Sequence, residues 1–166
     1  MAPATLHEVD EWVVEQADLL VDECFEAYEG YDFGAVMTGV HNFCRQQLSA
    51  FYSDAIKDFM YCDREDSERR RSGQYACYSV AKVLAQLMAP VLVHTAEEAW
   101  TKMHETMGIP CESIHMSVIK RPDSSRLQDI EDRVRGHGTC RRLRCVGLDF
   151  GGVRRRVDRV RRTIST

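Results

Sequence analysis

Apolar residues recur at helical spacing through the first hundred residues of this chain, and this constrains its fold more than any other feature. From Leu6 to Tyr28 they return with the 3.6-residue period of an α-helix, which Gly30 is expected to end. A second periodic run extends from about Phe33 to about Phe59, with Asp32 as its predicted N-cap. The sequence therefore predicts an all-α fold.

Two more helices are predicted before the period is lost. The polar stretch 62–67 reads as a connector, and the third helix that follows it is limited by Pro90. The segment Thr95-Ala-Glu-Glu98 predicts a capping box at the start of the fourth helix, and 113–119 is predicted to be a short extended segment. About four helices joined by short connectors predict an antiparallel bundle.

Charge divides the chain unevenly. Residues 1–132 carry 24 acidic and 11 basic side chains, whereas residues 133–166 carry 2 acidic and 11 basic ones. We interpret 1–120 as a helical domain and 121–166 as a basic tail, in which 153–164 has the spacing of a basic amphipathic helix. The tail either orders only on a polyanion, or not at all, or is a divergent, non-native end.

The seven cysteines include no C-x-x-C pair and no secretory signal precedes them, so a disulfide framework is not expected and the cytoplasm is the expected location. Cys24, Cys44 and Cys77 lie on apolar helix faces and are interpreted as small hydrophobic residues. No apolar run is long enough to span a membrane, so no membrane partner is expected.

Four blocks of sequence resemble the anticodon-binding domain of isoleucyl-tRNA synthetases, in the same order and at the same spacing. They are Glu29-Gly-Tyr-Asp-Phe33, Phe51-Tyr-Ser-Asp-Ala-Ile-Lys-Asp58 with Tyr61, Arg70-Arg-Ser-Gly-Gln74, and Met88-Ala-Pro-Val-Leu-Val-His-Thr-Ala-Glu-Glu-Ala-Trp100. The likeness covers residues 6–118, and none is expected after about Ile119. Phe59 stands where the family usually has Arg, which removes one cationic contact and leaves the helix intact.

The resemblance implies a tRNA-binding domain whose partners are isoleucine-accepting tRNA and the catalytic domain of a parent synthetase. ATP and isoleucine would be bound by that parent, because the two catalytic motifs of class I synthetases and a Walker-type loop are absent from this sequence. The chain alone is therefore expected to have no catalytic residues and no cofactor. Two alternatives stay open: an independent helical RNA-binding protein that uses its basic tail, and a protein-interaction module that uses its acidic face.

Seven cationic residues are the candidates for contact with the tRNA backbone, because phosphates attract several cations at once. Arg69, Arg70 and Arg71 begin the third helix, where they could equally answer the acidic residues just before them. The family likeness favours the others as backbone contacts: Arg45, Lys57, Lys82 and Lys102. Trp100 could stack on an unpaired base, but we favour a place in the core.

No metal site is predicted, although two groups of histidine and cysteine invite one. Neither has the paired spacing of a zinc site; the groups are His104, Cys111 and His115, and His137, Cys140 and Cys145. Asp54 and Asp58 are interpreted as a solvated helix face. The first 62 residues carry twelve acidic and two basic side chains, so the first helix is not expected to face RNA. Its polar side should meet solvent or another part of a parent enzyme.

Overall fold

The computed structural model describes residues 6–136, and the regular structure within that range is helical, without a strand. This confirms the predicted all-α fold. In chain order the elements are α1 (Glu8–Glu29), α2 (Phe33–Phe43), a π-helical segment (Cys44–Tyr52), α3 (Ser53–Cys62), α4 (Glu68–Met88), α5 (Val93–Met107), a 3₁₀ turn (Ile114–Met116) and α6 (Ser124–Gly136). The last helix belongs to a second unit that begins at Ser124, and the others belong to the first unit.

The first unit is a bundle in which α1, the α2–α3 run and α4 are successively antiparallel, as predicted. Tyr28 near the end of α1 meets Phe33 at the start of α2, while Tyr52 returns to Asp10 near the start of α1. The α4 helix then runs parallel to α1, because Asp10 bonds Ser72 at one end and Tyr28 bonds the Leu87 carbonyl at the other. The α5 helix packs on α4 around a second, smaller apolar cluster.

The main core lies where α1, the α2–α3 run and α4 meet. Its fully buried side chains include Val13, Leu20, Val36, Phe43, Val80 and Leu87. Cys24 is also buried there, and Cys44 and Cys77 pack against it, so their interpretation as small hydrophobic residues is confirmed. Burial, assisted by the nearby Glu23 carboxylate, raises the pKa of the Cys24 thiol to about 11.

Several predicted helix ends are confirmed. Gly30 caps α1, and the Asp32 carboxylate accepts a hydrogen bond from the Ala35 amide at 2.9 Å as the N-cap of α2. The left-handed conformation after α1 falls on Tyr31, with φ of 56°, rather than on the glycine. A bulky residue is strained in this conformation. The left-handed residue reverses the chain between the end of α1 and the start of α2. The α4 helix ends at Met88, two residues before Pro90.

The second helical run continues without a break through the π-helical segment, which the sequence did not predict. Its core residues repeat every four positions: Val36, Val40, Cys44, Leu48, Tyr52 and Ile56. In a straight α-helix each step of four overshoots a turn by about 40°, so this stripe would rotate by roughly 200°. The wider turn of a π-helix, shown by the bond from the Ser53 amide to the Leu48 carbonyl, keeps the stripe facing the core.

The predicted capping box of the fourth helix is wrong. The α5 helix begins at Val93, its N-cap Leu92 makes no side-chain cap, and the Ala96 amide already bonds the Leu92 carbonyl at 2.9 Å. Thr95 therefore lies inside the first turn. The predicted extended segment 113–119 is also wrong, because the Glu97 carboxylate accepts hydrogen bonds from Ser113 and from the Ile114 amide and holds this stretch in a 3₁₀ turn.

The segment assigned to a basic tail contains α6, which the sequence analysis missed. The signal was present, since Leu127, Ile130 and Val134 follow one another at helical spacing. The predicted amphipathic helix 153–164 lies outside the described residues, and the domain boundary at 120 stays a prediction. Within residues 6–136, no helix is both long enough and apolar enough to cross a membrane.

Candidate nucleic-acid interface

The three arginines that begin α4 point in different directions and have different surroundings. The Arg69 guanidinium lies over the Phe59 ring, 4.4 Å from its centroid, and Arg70 donates from Nη1 to the Asp63 carbonyl at 2.8 Å. Arg71 is exposed. Arg70 therefore stabilises the α3–α4 connector, Arg69 covers Phe59 while it stays exposed, and Arg71 is exposed without such a contact among the described residues. Their contact with tRNA stays a prediction.

Phe59 shows what its departure from the family pattern does to the helix. The side chain is 6% exposed and belongs to the main core, under the Arg69 guanidinium. A phenyl face attracts a cation at this distance. The helix is intact, as predicted, and the cation at this place in the bundle comes from α4.

Lys57 and Lys102 are both exposed and both bound to a carboxylate on their own helix. Lys57 donates to Asp54 at 2.7 Å and Lys102 to Glu105 at 2.8 Å, each three residues away. These hydrogen bonds raise the pKa of both lysines, which stay charged. Exposed pairs of this kind exchange partners readily, so a phosphate would have to compete with a neighbouring carboxylate at both positions. Asp54 is exposed, as its interpretation as part of a solvated face requires.

Arg45, Arg71 and Lys82 are exposed and form no ion pair within 4.0 Å among residues 6–136. Arg45 lies on the π-helical segment, whereas the other two lie on α4. Their charges are therefore available to an external anion without the loss of an internal partner. Of the other predicted residues, Arg69 is also exposed and without an ion pair in this range, but its guanidinium already lies on the Phe59 ring.

The structure places four of the seven candidates on α4 and distributes the others over three elements. Along α4, Arg71 and Lys82 are eleven residues apart, which is three turns and brings them to the same face. Tyr75 and Tyr78 lie between them on that face and are partly exposed. These tyrosines were not among the predicted residues, although the spacing 71, 75, 78, 82 is a readable helical signal.

Trp100 is a core residue, as favoured from the sequence. It is 6% exposed, and its indole Nε1 donates to the Glu112 carbonyl at 3.0 Å. His104 stacks beside it, with ring centroids 4.5 Å apart, and its Nδ1 lies 2.9 Å from the Trp100 carbonyl oxygen. Trp100 therefore holds the chain after α5 in place and has no free face for a base.

No group of three or more potential metal ligands is gathered within residues 6–136. His104 is engaged with Trp100, and Cys111 is exposed on the segment after α5. The second candidate group, at 137, 140 and 145, lies outside the described residues.

The acidic α1 helix does not present all its carboxylates to solvent. Asp10 is fully buried and accepts hydrogen bonds of 2.6 Å from both Tyr52 and Ser72. Burial and the bond to Asp10 raise the pKa of Tyr52, which stays a donor. At the other end of α1, Arg121 pairs with three carboxylates at 2.6 to 3.7 Å: Asp22, Glu26 and Glu29.

The sequence matches the family described as "Anticodon-binding domain of tRNA ligase" over residues 10–144. This is most of the chain, and the chain therefore belongs to that family. The match corrects the expectation that the likeness ends near residue 119. The likeness extends through α6, which the sequence analysis had assigned to the tail.

Several isoleucine–tRNA ligases match this chain over part of their own length. An isoleucine–tRNA ligase of Bacillus cereus, one of Bacillus anthracis, and isoleucine–tRNA ligase 1 of Bacillus thuringiensis subsp. konkukian are each 38% identical to it over 131 residues. That stretch is 79% of this chain and 14% of each relative. The chain thus spans about one seventh of the length of the curated relatives it matches.

Proposed function

We propose that this domain docks the anticodon stem-loop of isoleucine-accepting tRNA as part of an isoleucine–tRNA ligase. The family membership supports a role at the anticodon, and the names of the relatives support isoleucine as the amino acid. The observation that carries the proposal most directly is the set of exposed, unpaired cations among the described residues, because phosphate contacts fix the register of a protein on RNA.

The parent enzyme would supply the rest of the reaction. ATP and isoleucine would be bound by parts of the synthetase outside this chain, including its catalytic domain, and the cytoplasm would be the place of action. The domain would contribute affinity and selection of the correct tRNA. Its own mechanism is binding, in which cations hold the backbone while helix ends and loops meet exposed bases.

Filter binding of the full 166-residue chain to isoleucine tRNA and to an unrelated tRNA tests this proposal. We expect tighter binding to the isoleucine tRNA and an affinity that falls linearly with the logarithm of the salt concentration. A second chain without residues 145–166, which carry six basic side chains and lie beyond the family match, is the control for the basic tail. It should keep the preference for isoleucine tRNA, even if its overall affinity is lower.

Two results would contradict the proposal. Equal binding to both tRNAs that disappears with the tail would favour an independent RNA-binding protein that grips nonspecifically. Absence of binding at every salt concentration would favour a protein-interaction module.

A further inference from the structure

The α4 helix and the connector after it differ from the rest of the described chain in charge. Between Arg69 and Ala96 the sequence contains no aspartate or glutamate and four cationic residues. Everywhere else within residues 6–132 acidic side chains are in excess. A helix that carries no carboxylate after its first residue repels a polyanion less than the acidic helices of the same domain do.

One face of α4 combines cations with aromatic rings. With 3.6 residues per turn, Arg71, Tyr75, Tyr78 and Lys82 fall within an arc of about 60°, and the two cations are separated by about 16 Å along the axis. We call these four residues the α4 stripe. The opposite side of the helix is buried, where Ala76, Val80 and Leu87 contribute to the main core. The stripe is therefore an outer face.

None of the four side chains is engaged elsewhere in the described structure. Arg71 and Lys82 are exposed and form no ion pair with any residue of 6–136, and the two tyrosines are partly exposed without a side-chain hydrogen bond or ring contact in that range. By contrast, the partly buried Tyr28 and the buried Tyr52 both donate hydrogen bonds. The tyrosines of the stripe are thus not required by the internal hydrogen-bond network.

We propose that the α4 stripe is the surface on which a single-stranded segment of the RNA lies, with phosphates at Arg71 and Lys82 and bases against Tyr75 and Tyr78. The proposal rests on the proposed function and assigns it to one helix face. Cations spaced along a groove or face hold a nucleic-acid backbone, and aromatic rings between them accept unstacked bases whatever their identity.

The surroundings of the stripe favour RNA over a protein partner. The large apolar side chains that are well exposed within residues 6–136 lie on other elements, such as Tyr61 on α3 and Met116 on the 3₁₀ turn. A protein interface usually has a contiguous apolar centre, which the stripe does not provide. Beyond Lys82 the same side of α4 is covered by α5, since Ala85 and Ala89 pack against Ala96 and Trp100. The stripe therefore ends where α5 begins to cover the helix.

Two pairs of substitutions in the full chain separate the charges from the rings. Arg71→Ala with Lys82→Ala should reduce the salt slope of tRNA binding by about 1.4, which is the value for two contacts to single-stranded RNA. The matched control is Arg64→Ala with Arg121→Ala, which removes the same charge from residues that are bound to carboxylates and are not candidates for tRNA contact. It should change the slope by less than half as much.

The second pair is Tyr75→Leu with Tyr78→Leu, which keeps apolar bulk and removes the rings. We expect at least about a tenfold weaker affinity with an unchanged salt slope, because base stacking on aromatic rings is not electrostatic. Tyr75→Phe with Tyr78→Phe should bind like the unaltered chain. Thermal unfolding followed by circular dichroism shows whether each variant is folded, and a variant that is not folded is replaced by the corresponding single substitution.

The outcomes distinguish the stripe from the function it serves. If the unaltered chain binds isoleucine tRNA and the stripe variants bind it equally well, the assignment of RNA binding to the α4 stripe is overturned and the proposed function stands. If only the cationic pair matters, the stacking of bases on the tyrosines is overturned. If the unaltered chain does not bind tRNA, both proposals fail together. A protein that bound the unaltered chain and the control variant, but not the stripe variants, would also overturn the assignment of the stripe to RNA.

Discussion

Two parallel helices in the same bundle, α1 and α4, have opposite charge. The α1 helix carries nine acidic and no basic side chains, whereas α4 carries one acidic side chain, at its first residue, and four basic ones. Both use one face for the common core and direct most of their charge outward. Charge is therefore distributed unevenly across the domain, which the net charge of −4 for the whole chain conceals. An RNA would be attracted on one side and repelled on the other, which orients it before any base is read.

Asp10 is a charged residue of α1 that points inward, where it bonds Ser72 of α4. Its removal should have the largest effect on stability. Asp10→Ala leaves the buried hydroxyls of Tyr52 and Ser72 without their acceptor, which should cost about 2–4 kcal/mol of unfolding free energy. Urea denaturation measures it, with Asp10→Asn as the control that retains an acceptor oxygen and should lose less. A loss for Asp10→Ala below about 1 kcal/mol would show that the buried carboxylate does not hold α1 to α4.

Gly73→Ala tests how closely α4 approaches α3 on its inner side. An added Cβ would lie 2.9 Å from Cε2 of the buried Phe59 ring, and we expect a net destabilisation of about 0.5–2 kcal/mol after the gain in helix propensity. Gly39→Ala is the matched control, because its Cβ would meet Leu20 Cδ1 at an ordinary 3.5 Å. That variant should be equal to the unaltered chain or more stable in thermal unfolding. Stabilisation by both would mean that the α3–α4 contact can relax.

Arg121→Ala should have the smallest effect and concerns only the acidic helix. It removes the countercharge of three α1 carboxylates, but the guanidinium is 39% exposed, so the loss should stay below about 1 kcal/mol. Salt should reduce the difference, because it screens both the lost pairs and the repulsion that replaces them. Arg64→Ala, which removes a pair between side chains 86% and 70% exposed, is the control and should be indistinguishable from the unaltered chain. A loss for Arg121→Ala that is independent of salt would indicate packing rather than charge.

The contrast between α1 and α4 also shows what the sequence could predict. Periodicity and the residues at helix ends predicted α1, α4 and their connectors, because these depend on neighbours within a few positions. The burial of Asp10 was not predictable in this way, since its partners lie 42 and 62 residues away along the chain. The segment 113–119 was misjudged for the same reason: Ser113 and Ile114 are held by the side chain of Glu97, 16 and 17 positions earlier.

For the candidate interface, too, the residues could be predicted from the sequence but their long-range contacts could not. All seven cationic residues could be named from the sequence, but not which of them are already engaged. Arg70 donates to the Asp63 carbonyl and Arg69 lies on Phe59, whereas Arg71 is exposed and has no such contact among the described residues. Neighbouring residues on a helix are separated by about 100°, so three consecutive arginines cannot share one face. Only the packing of α3 on α4 decides which one is left for a ligand.

The π-helical segment gives the number of residues between α2 and α3 a role of its own. With the wide turns of the π-helical segment kept, loss of one residue between Cys44 and Tyr52 would rotate α3 by roughly 100° against α2. Ile56 and Phe59 would leave the core together, and Phe59 would no longer lie beneath Arg69. Single substitutions in the segment act on one contact, whereas a single deletion acts on all of α3. The rotation of α3 relative to α2 is therefore determined by the number of residues in the π-helical segment as much as by their identity.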